Sequence, residues 1–375
     1  MAADTLTILQ VLPSLDAGGV ERGTVEMAQA VTAAGGRALV ASAGGRMVPL
    51  VARAGGTHVV LPLMTKDPVS IWLNALPLTR LIRRENVRLV HARSRAPAWS
   101  AWIAARRAGV PFVTTWHGVY SEDFPGKRWY NSVMARGERV IAISSFVRYR
   151  LLALGVEEAR IRLIHRGVDQ ALFDPAVVSG ERVHKLAQAW RLPPGAPVVM
   201  LPGRLTHWKG AGLLLRAVAK LRRDDVFLVL VGGGSERLAN ALADEAENLG
   251  LTSRLRLAGQ CDDMPAALMV ADVVACPSLK PEPFGRTVIE AQAMGKPVIA
   301  ADHGGAVETV ADGHTGWRVP PNDADALAQV ISFALGMTAA DRAALGAAAR
   351  AAVLENYTTA KMQAATLAVY RELLP

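Results

Sequence analysis

The sequence predicts an α/β fold of two successive domains, each a doubly wound parallel sheet covered by helices. Three observations carry that expectation. Short apolar runs alternate with longer amphipathic ones, the rhythm of βαβ units. The rhythm breaks near residues 170–180 and then restarts. The length, 375 residues, suits two or three domains.

The elements follow in order. Residues 6–12 form an apolar strand, Gly18-Gly19 a turn and residues 20–34 a helix. Further strands are expected at 38–41, 59–61, 87–91, 110–115 and 140–143, with helices such as 69–84 and 99–108 between them. Residues 177–197 hold Gly180, Pro193, Pro194, Gly195 and Pro197 around one helix. A second strand set is expected at 198–201, 226–231, 255–258, 273–276 and 297–300. The expected domains are 1–174 and 175–356, with a C-terminal helix, 357–375, packing back on the first. Ligands of such sheets bind beyond the carboxyl ends of the strands, so two Rossmann-like domains facing each other would share a central cleft.

Composition narrows the class. Apolar residues make up 51% and charged residues 20%, a globular balance that excludes a disordered chain, a collagen and a coiled coil. Two cysteines, Cys261 and Cys276, exclude a disulfide scaffold and a cysteine-rich zinc module, and both read as small buried residues. No uninterrupted apolar run reaches about 18 residues, so no membrane-spanning helix is expected. The segment Met1-Ala2-Ala3-Asp4 lacks a basic region followed by a long apolar stretch, so no signal peptide is indicated and a cytoplasmic location is expected.

The net charge is +9. Up to Pro175 there are 22 basic and 13 acidic residues, and after it 20 of each. The whole excess lies in the first part, which points to an anionic partner there. No nucleic-acid-reading module is recognisable, so nucleic acid is not expected.

Three motifs follow strands. Leu12-Pro-Ser-Leu-Asp-Ala-Gly-Gly-Val-Glu-Arg22 joins the first strand to the first helix. Gly18 and Gly19 allow a ligand close to the backbone, and the helix offers free N–H groups to an anion. The third glycine of the dinucleotide fingerprint is missing. Gly203-Arg204-Leu205, with Lys209-Gly210 behind it, places two cations at one strand end, suited to a diphosphate. Glu282-Pro-Phe-Gly-Arg-Thr-Val-Ile-Glu290 sets one glutamate in a loop and the other in a helix closed by Gly295 and Pro297. The two carboxylates can meet different parts of one ligand, and the amides around Phe284–Thr287 open the helix.

In this order the motifs resemble the retaining GT-B glycosyltransferases of family 4, including lipopolysaccharide-core and cell-envelope enzymes. Trp116-His117-Gly118, Ala142-Ile-Ser-Ser145, Arg166-Gly-Val-Asp169 and Asp312-Gly-His-Thr-Gly316 add to the resemblance, which spans nearly the whole chain. It implies that Glu290 holds the ribose of a nucleotide sugar. Arg204 and Lys209 would hold the diphosphate, with Gly203, Gly18 and the Gly19 N–H assisting. Glu282, Phe284 and Gly285, with Arg286 and Thr287 beside them, would hold the transferred sugar, and His117 would lie near its anomeric centre. The base would lie near 258–260, at Gly259. His117, Glu282, Arg204 and Lys209 are the residues assigned to catalysis. Position 166 is often Asn in the family; Arg166 here suggests an anionic acceptor.

No metal or other cofactor is expected. Asp323-Ala-Asp325 matches a metal-binding Asp-x-Asp pattern but opens a helix, where acids are favoured anyway. His58, His91, His165, His184, His207, His303 and His314 show no ligand spacing and read as surface or supporting residues. His303 lies after a strand and could line the cleft.

Arg93, Arg95 and Tyr120, with Arg166, are candidates for contact with an anionic glycolipid or glycan acceptor. Trp72, Arg80, Arg83 and Arg84 lie on one helix, and Lys127, Arg128 and Trp129 on a later segment. The plainer reading of the first group is a sheet-covering helix with solvated arginines; the other is contact with an anionic membrane. Two rival activities remain open: a nucleotide-sugar epimerase on the same fold, and a dinucleotide-dependent oxidoreductase suggested by Gly232-Gly233-Gly234.

Overall fold

The computed structural model describes residues 6–16, 18–120 and 125–374. Residues 1–4, read above for a signal peptide, lie outside that range, as does Ala17 of the Gly-Gly loop. The chain divides into two compact units. The first is Met1–Arg166 with Thr359–Pro375, and the second is Gly167–Thr358. The first boundary falls eight residues before the one expected from the sequence.

Among the described residues the first unit holds seven parallel strands: β1 (Thr7–Val11), β2 (Arg37–Ser42), β3 (Thr57–Val60), β4 (Leu89–Ala92), β5 (Phe112–Trp116), β6 (Arg139–Ala142) and β7 (Ile161–Leu163). Their order is β3-β2-β1-β4-β5-β6-β7. The second unit holds β8 (Val198–Pro202), β9 (Phe227–Val231), β10 (Leu255–Gly259), β11 (Val273–Cys276), β12 (Val298–Ala301) and β13 (Trp317–Val319), in the order β10-β9-β8-β11-β12-β13. Every pairing is parallel. The strand order reverses once in each sheet, between β1 and β4 and between β8 and β11. At such a switch point adjacent crossover connections leave in opposite directions and open a crevice at the carboxyl ends.

Two strands were not expected from the sequence. β7 and β13 are three residues long and sit at sheet edges. Their composition, Ile-Arg-Leu and Trp-Arg-Val, is too short to show a period.

The strands are buried because helices cover both faces of a parallel sheet. All five residues of β1, β5, β8 and β9 are buried. Each such aliphatic side chain contributes roughly 1.5–3 kcal/mol on leaving water. The helix Thr359–Glu372 completes the first core, with Met362, Leu367, Val369 and Tyr370 in the cluster around Ile8, Val40 and Ile141. Its end is tied to the sheet edge by Glu372, which accepts hydrogen bonds from Arg139 and Arg162. Those bonds hold its carboxyl down at about 2.

The helix Pro68–Arg84 starts sharply because Asp67 accepts from the Ser70 N–H at 2.8 Å and Pro68 needs no partner. Its inner face, with Ile71, Leu78 and Ile82, is buried, and the Ser100 hydroxyl of the next helix donates to the Ile71 carbonyl at 2.7 Å. Its other face leaves Val69, Trp72, Leu73 and Leu76 exposed. No helix among the described residues is long and apolar enough to cross a membrane.

Candidate active site

The residues singled out in the second unit gather at its switch point. The loop after β8 carries Gly203, Arg204 and Lys209; the loop after β11 carries Glu282 and opens the helix Arg286–Ala293. Glycines let the loops approach. A Cβ on Gly210 (φ 81°) would lie 2.0 Å from the Pro277 carbonyl oxygen, and one on Gly232 equally close to that of Gly203. Gly203 stands beside the Lys209 side chain and Thr287.

Lys209 Nζ donates to Glu282 Oε1 at 2.8 Å, and both side chains are only about one-seventh exposed (15% and 14%). The Ser278 hydroxyl donates to the same carboxylate oxygen. Ser278 had no motif to mark it in the sequence. Gly304 packs against the Glu282 backbone and Gly305 against that of Phe284, and the Gly305 N–H donates to the Glu282 carbonyl at 2.8 Å. Charge and packing both hold Glu282 in place.

Gly285 (φ 84°) is the N-cap of the helix Arg286–Ala293 and makes no side-chain cap bond. The first-turn N–H groups therefore face outward without a capping side chain. Glu290, one turn on, is 3.5 Å from Arg286 Nε, with both side chains largely buried. Phe284 is fully buried, edge-on to Tyr357. Cys276 is buried against Thr287; burial, with the Glu282 charge next, pushes its thiol up to about 12, so it is inert.

His303 joins this group. It lines a small cavity with Cys276, Ser278, Glu282 and Gly285, and both ring nitrogens are buried without a hydrogen-bond partner. Arg204 is exposed and lines a wider cavity of about 500 Å³ with Thr206, His207, Gly233, Ser235 and Arg237. Gly259 (φ 66°) ends β10, and its carbonyl accepts from the Gly232 N–H at 2.7 Å. Asp323 spends its carboxylate capping the Asp325 and Ala326 N–H groups, and Asp325 pairs with Lys220 at 2.8 Å.

In the first unit, Gly18 (φ 143°) is the N-cap of the helix Gly19–Ala33 and again makes no side-chain cap bond. Arg166 Nη2 donates to the Gly19 carbonyl. His117 follows β5, and its Nε2 is buried without a partner. Burial and the Arg166 and Arg93 charges hold that imidazole well below its ordinary range, so it is neutral at pH 7. Arg95 is the first residue of the helix Arg95–Ala108; its guanidinium lies 4.0 Å over the Tyr120 ring and donates to Asn131. Burial raises the Tyr120 hydroxyl to about 12.

Of the two alternatives read for it, surface or supporting, His91 takes the second: it is fully buried, bonded to Tyr370 at 2.6 Å and Thr115 at 2.7 Å, because β4 lies inside the sheet. One expectation needs correction: Cys261 is only half-buried, since it stands in the loop beyond β10. Of the membrane candidates, Trp72, Arg80, Arg83, Arg84, Arg128 and Trp129 are exposed and Lys127 is half-buried. Trp129 also stacks on Trp99 at 4.5 Å.

Two Rossmann-like units, one with a paired lysine and glutamate at an uncapped helix start, define a GT-B glycosyltransferase architecture. Residues 17–172 match the model of Glycosyltransferase Family 4, and residues 183–352 that of Glycosyl transferases group 1. The chain belongs to this family. A glycosyltransferase structure from Rickettsia africae shares 37% identity, with 99% of each chain covered and a TM-score of 0.91. HepE of Anabaena, solved with UDP and glucose, shares 26% over 98% of this chain and 100% of its own, with a TM-score of 0.85. The D-inositol 3-phosphate glycosyltransferase of Salinispora tropica is 33% identical over 73% of this chain, which spans 64% of that relative's length.

Proposed function

We propose that this protein moves a sugar from a nucleoside-diphosphate donor to a hydroxyl of a glycolipid or glycan acceptor, with retention at the anomeric carbon. UDP-sugars are the favoured donors and the cell envelope, lipopolysaccharide included, the favoured setting. The observation that carries the reading is the buried Lys209–Glu282 pair beside an uncapped helix start, with Glu290 one turn further on. The complexes of HepE with UDP and with UDP-glucose support the choice of base. The name of the inositol phosphate relatives supports an anionic acceptor.

In the reaction the bond between the anomeric carbon and the phosphate oxygen breaks, and its electron pair leaves with the diphosphate. The acceptor oxygen bonds to the anomeric carbon on the face being vacated, and its proton passes to the departing phosphate. Negative charge grows on the diphosphate, where Arg204 and Lys209 would stabilise it. Glu282 and the amides at Phe284 and Gly285 would fix the sugar, and Glu290 the ribose. His117, being neutral, would offer a hydrogen bond near the sugar rather than a charge. Positioning supplies a further large share of the rate.

The reading assigns no step to a metal, in keeping with Asp323 acting as a helix cap. Turnover is expected to survive EDTA. The exposed Trp72, Leu73 and Leu76 beside Arg80, Arg83 and Arg84 suit peripheral contact with an anionic membrane at its cytoplasmic face. The direct test is UDP release from a panel of UDP-sugars with a lipid-linked acceptor. Glu290→Ala and Lys209→Ala should abolish donor binding or turnover, and full activity in both would remove the assignment.

A further inference from the structure

We propose that the switch point of the first sheet is an oxyanion-binding site, anchored by Arg93 and built for a phosphate monoester. Arg93 follows β4 directly, and its N–H donates to the Val11 carbonyl at the end of β1 at 2.9 Å. It therefore stands where the strand order reverses, the counterpart of the place held by Lys209 and Glu282 in the second sheet. There the cation has a carboxylate. Arg93 makes no such bonded pair: its residue is 2% exposed, and Nε and Nη2 are buried without a hydrogen-bond partner.

Those two nitrogens form the edge of the guanidinium that presents parallel N–H bonds, the fork that grips two oxygens of one anion. A buried guanidinium without partners is costly, and such groups call for a ligand, a functional role or a bound ion.

The surroundings match an anion. Two long helices begin at this switch point, Gly19–Ala33 and Arg95–Ala108; the Glu21 carboxylate lies against Gly18 at the first, and Ser94 makes no side-chain cap bond at the second. A second guanidinium is seated against Gly23, where a Cβ would lie 2.1 Å from Arg166 Nη2. Burial and the Arg93 and Arg166 charges keep His91 and His117 neutral, so neither competes for the anion as a cation. The one carboxylate bearing on Arg93 is that of the buried Glu26, with no hydrogen bond from the Arg93 Nε or Nη2; Tyr370 is a neutral phenol, its hydroxyl pushed up by burial. A tetrahedral phosphate can use the fork and the helix amides together, whereas a carboxylate would occupy one edge.

The inference rests on the transferase reading only for what carries the phosphate, which is then the acceptor. Inorganic phosphate and glycerol phosphate serve as probes on the full chain, followed by melting temperature and calorimetry at constant ionic strength. Both should bind saturably to the native protein and to Lys209→Ala. Arg93→Met should lose the response, and Arg93→Lys should weaken it about tenfold, the worth of one charge-assisted hydrogen bond. Without phosphate, Arg93→Met should melt no lower than the native protein, since it removes an unpartnered charge. Gly23→Ala, which displaces Arg166, gives a second perturbation that leaves Arg93 in place and should also weaken binding. UDP should stabilise Arg93→Met and the native protein alike. Unchanged phosphate binding in Arg93→Met, or none in the native protein, overturns the site. A native protein that binds phosphate but not UDP would instead overturn the donor reading and leave the site standing.

Discussion

Lys209 and Glu282 show how much one contact can decide. Their pairing at 2.8 Å in a largely buried place makes each the other's counter-charge. Replacing Lys209 with Met leaves the carboxylate partly desolvated. The variant should lose ~2–4 kcal/mol of stability, by analogy with other broken buried pairs, and about 10²–10³ in kcat. Urea denaturation and UDP release measure the two. Glu290→Gln should raise the donor KM about tenfold or more, the worth of one lost hydrogen bond from a charged group, with a smaller effect on kcat. The glutamates and Lys209 were legible in the sequence because they sit in a local spacing. Ser278 was not, because a lone serine four residues before Glu282 in the same loop forms no motif; the position of His303 after a strand was legible, but its place beside Glu282 follows from β12 lying next to β11. Arg93 was legible as a cation at a strand end. Its burial follows from β1 lying beside β4, a pairing some 80 residues apart that no local pattern reveals.

Among the elements, two glycines of the second unit, one at its switch point and one in the turn before β8, separate two costs. Gly210 and Gly195 both have left-handed φ, 81° and 76°, but only Gly210 lies against backbone. Alanine at either should cost ~1–2 kcal/mol for the left-handed conformation. Gly210→Ala should cost clearly more, and should also displace Lys209 and weaken UDP binding. Equal denaturation midpoints for the two would show that the Pro277 approach is slack. Buried histidines act on the first sheet. The folded state keeps His91 neutral, well below the ordinary imidazole value, while the unfolded chain takes up its proton near 6.5. Its stabilising effect is full above about pH 6.5 and fades as pH falls below it. The melting temperature of the first unit should drop between pH 7 and 5, and His91→Gln should flatten that slope. The eleven longer strands were readable from apolar runs; β7 and β13 were not, since three residues carry no period. The helix Pro68–Arg84 was readable as amphipathic, but which face is buried was settled by its neighbour, the helix Arg95–Ala108.

Over the whole molecule, the charge asymmetry is sharper than the sequence alone could show. With the C-terminal helix assigned to it, the first unit carries 24 basic and 12 acidic residues, and the second 18 and 21. The excess thus belongs entirely to the unit that the transferase reading gives to the acceptor. Binding to anionic vesicles should exceed binding to neutral ones and weaken with salt, since surface attraction is screened beyond about 8–10 Å. Equal, salt-independent binding in a sedimentation assay would exclude that contact. The family and the two-sheet plan rest on patterns that recur along the chain, and so were legible; the acceptor is a property of surfaces assembled from distant segments, and was not. The central claim is that the second switch point binds a nucleoside diphosphate sugar through Lys209, Glu282 and Glu290. Calorimetric titration of UDP into the native protein and into Glu290→Ala tests it most directly. One site per chain is expected in the native protein, with a loss of affinity of at least tenfold in the variant; no binding to the native protein, or equal affinity in both, would contradict that claim.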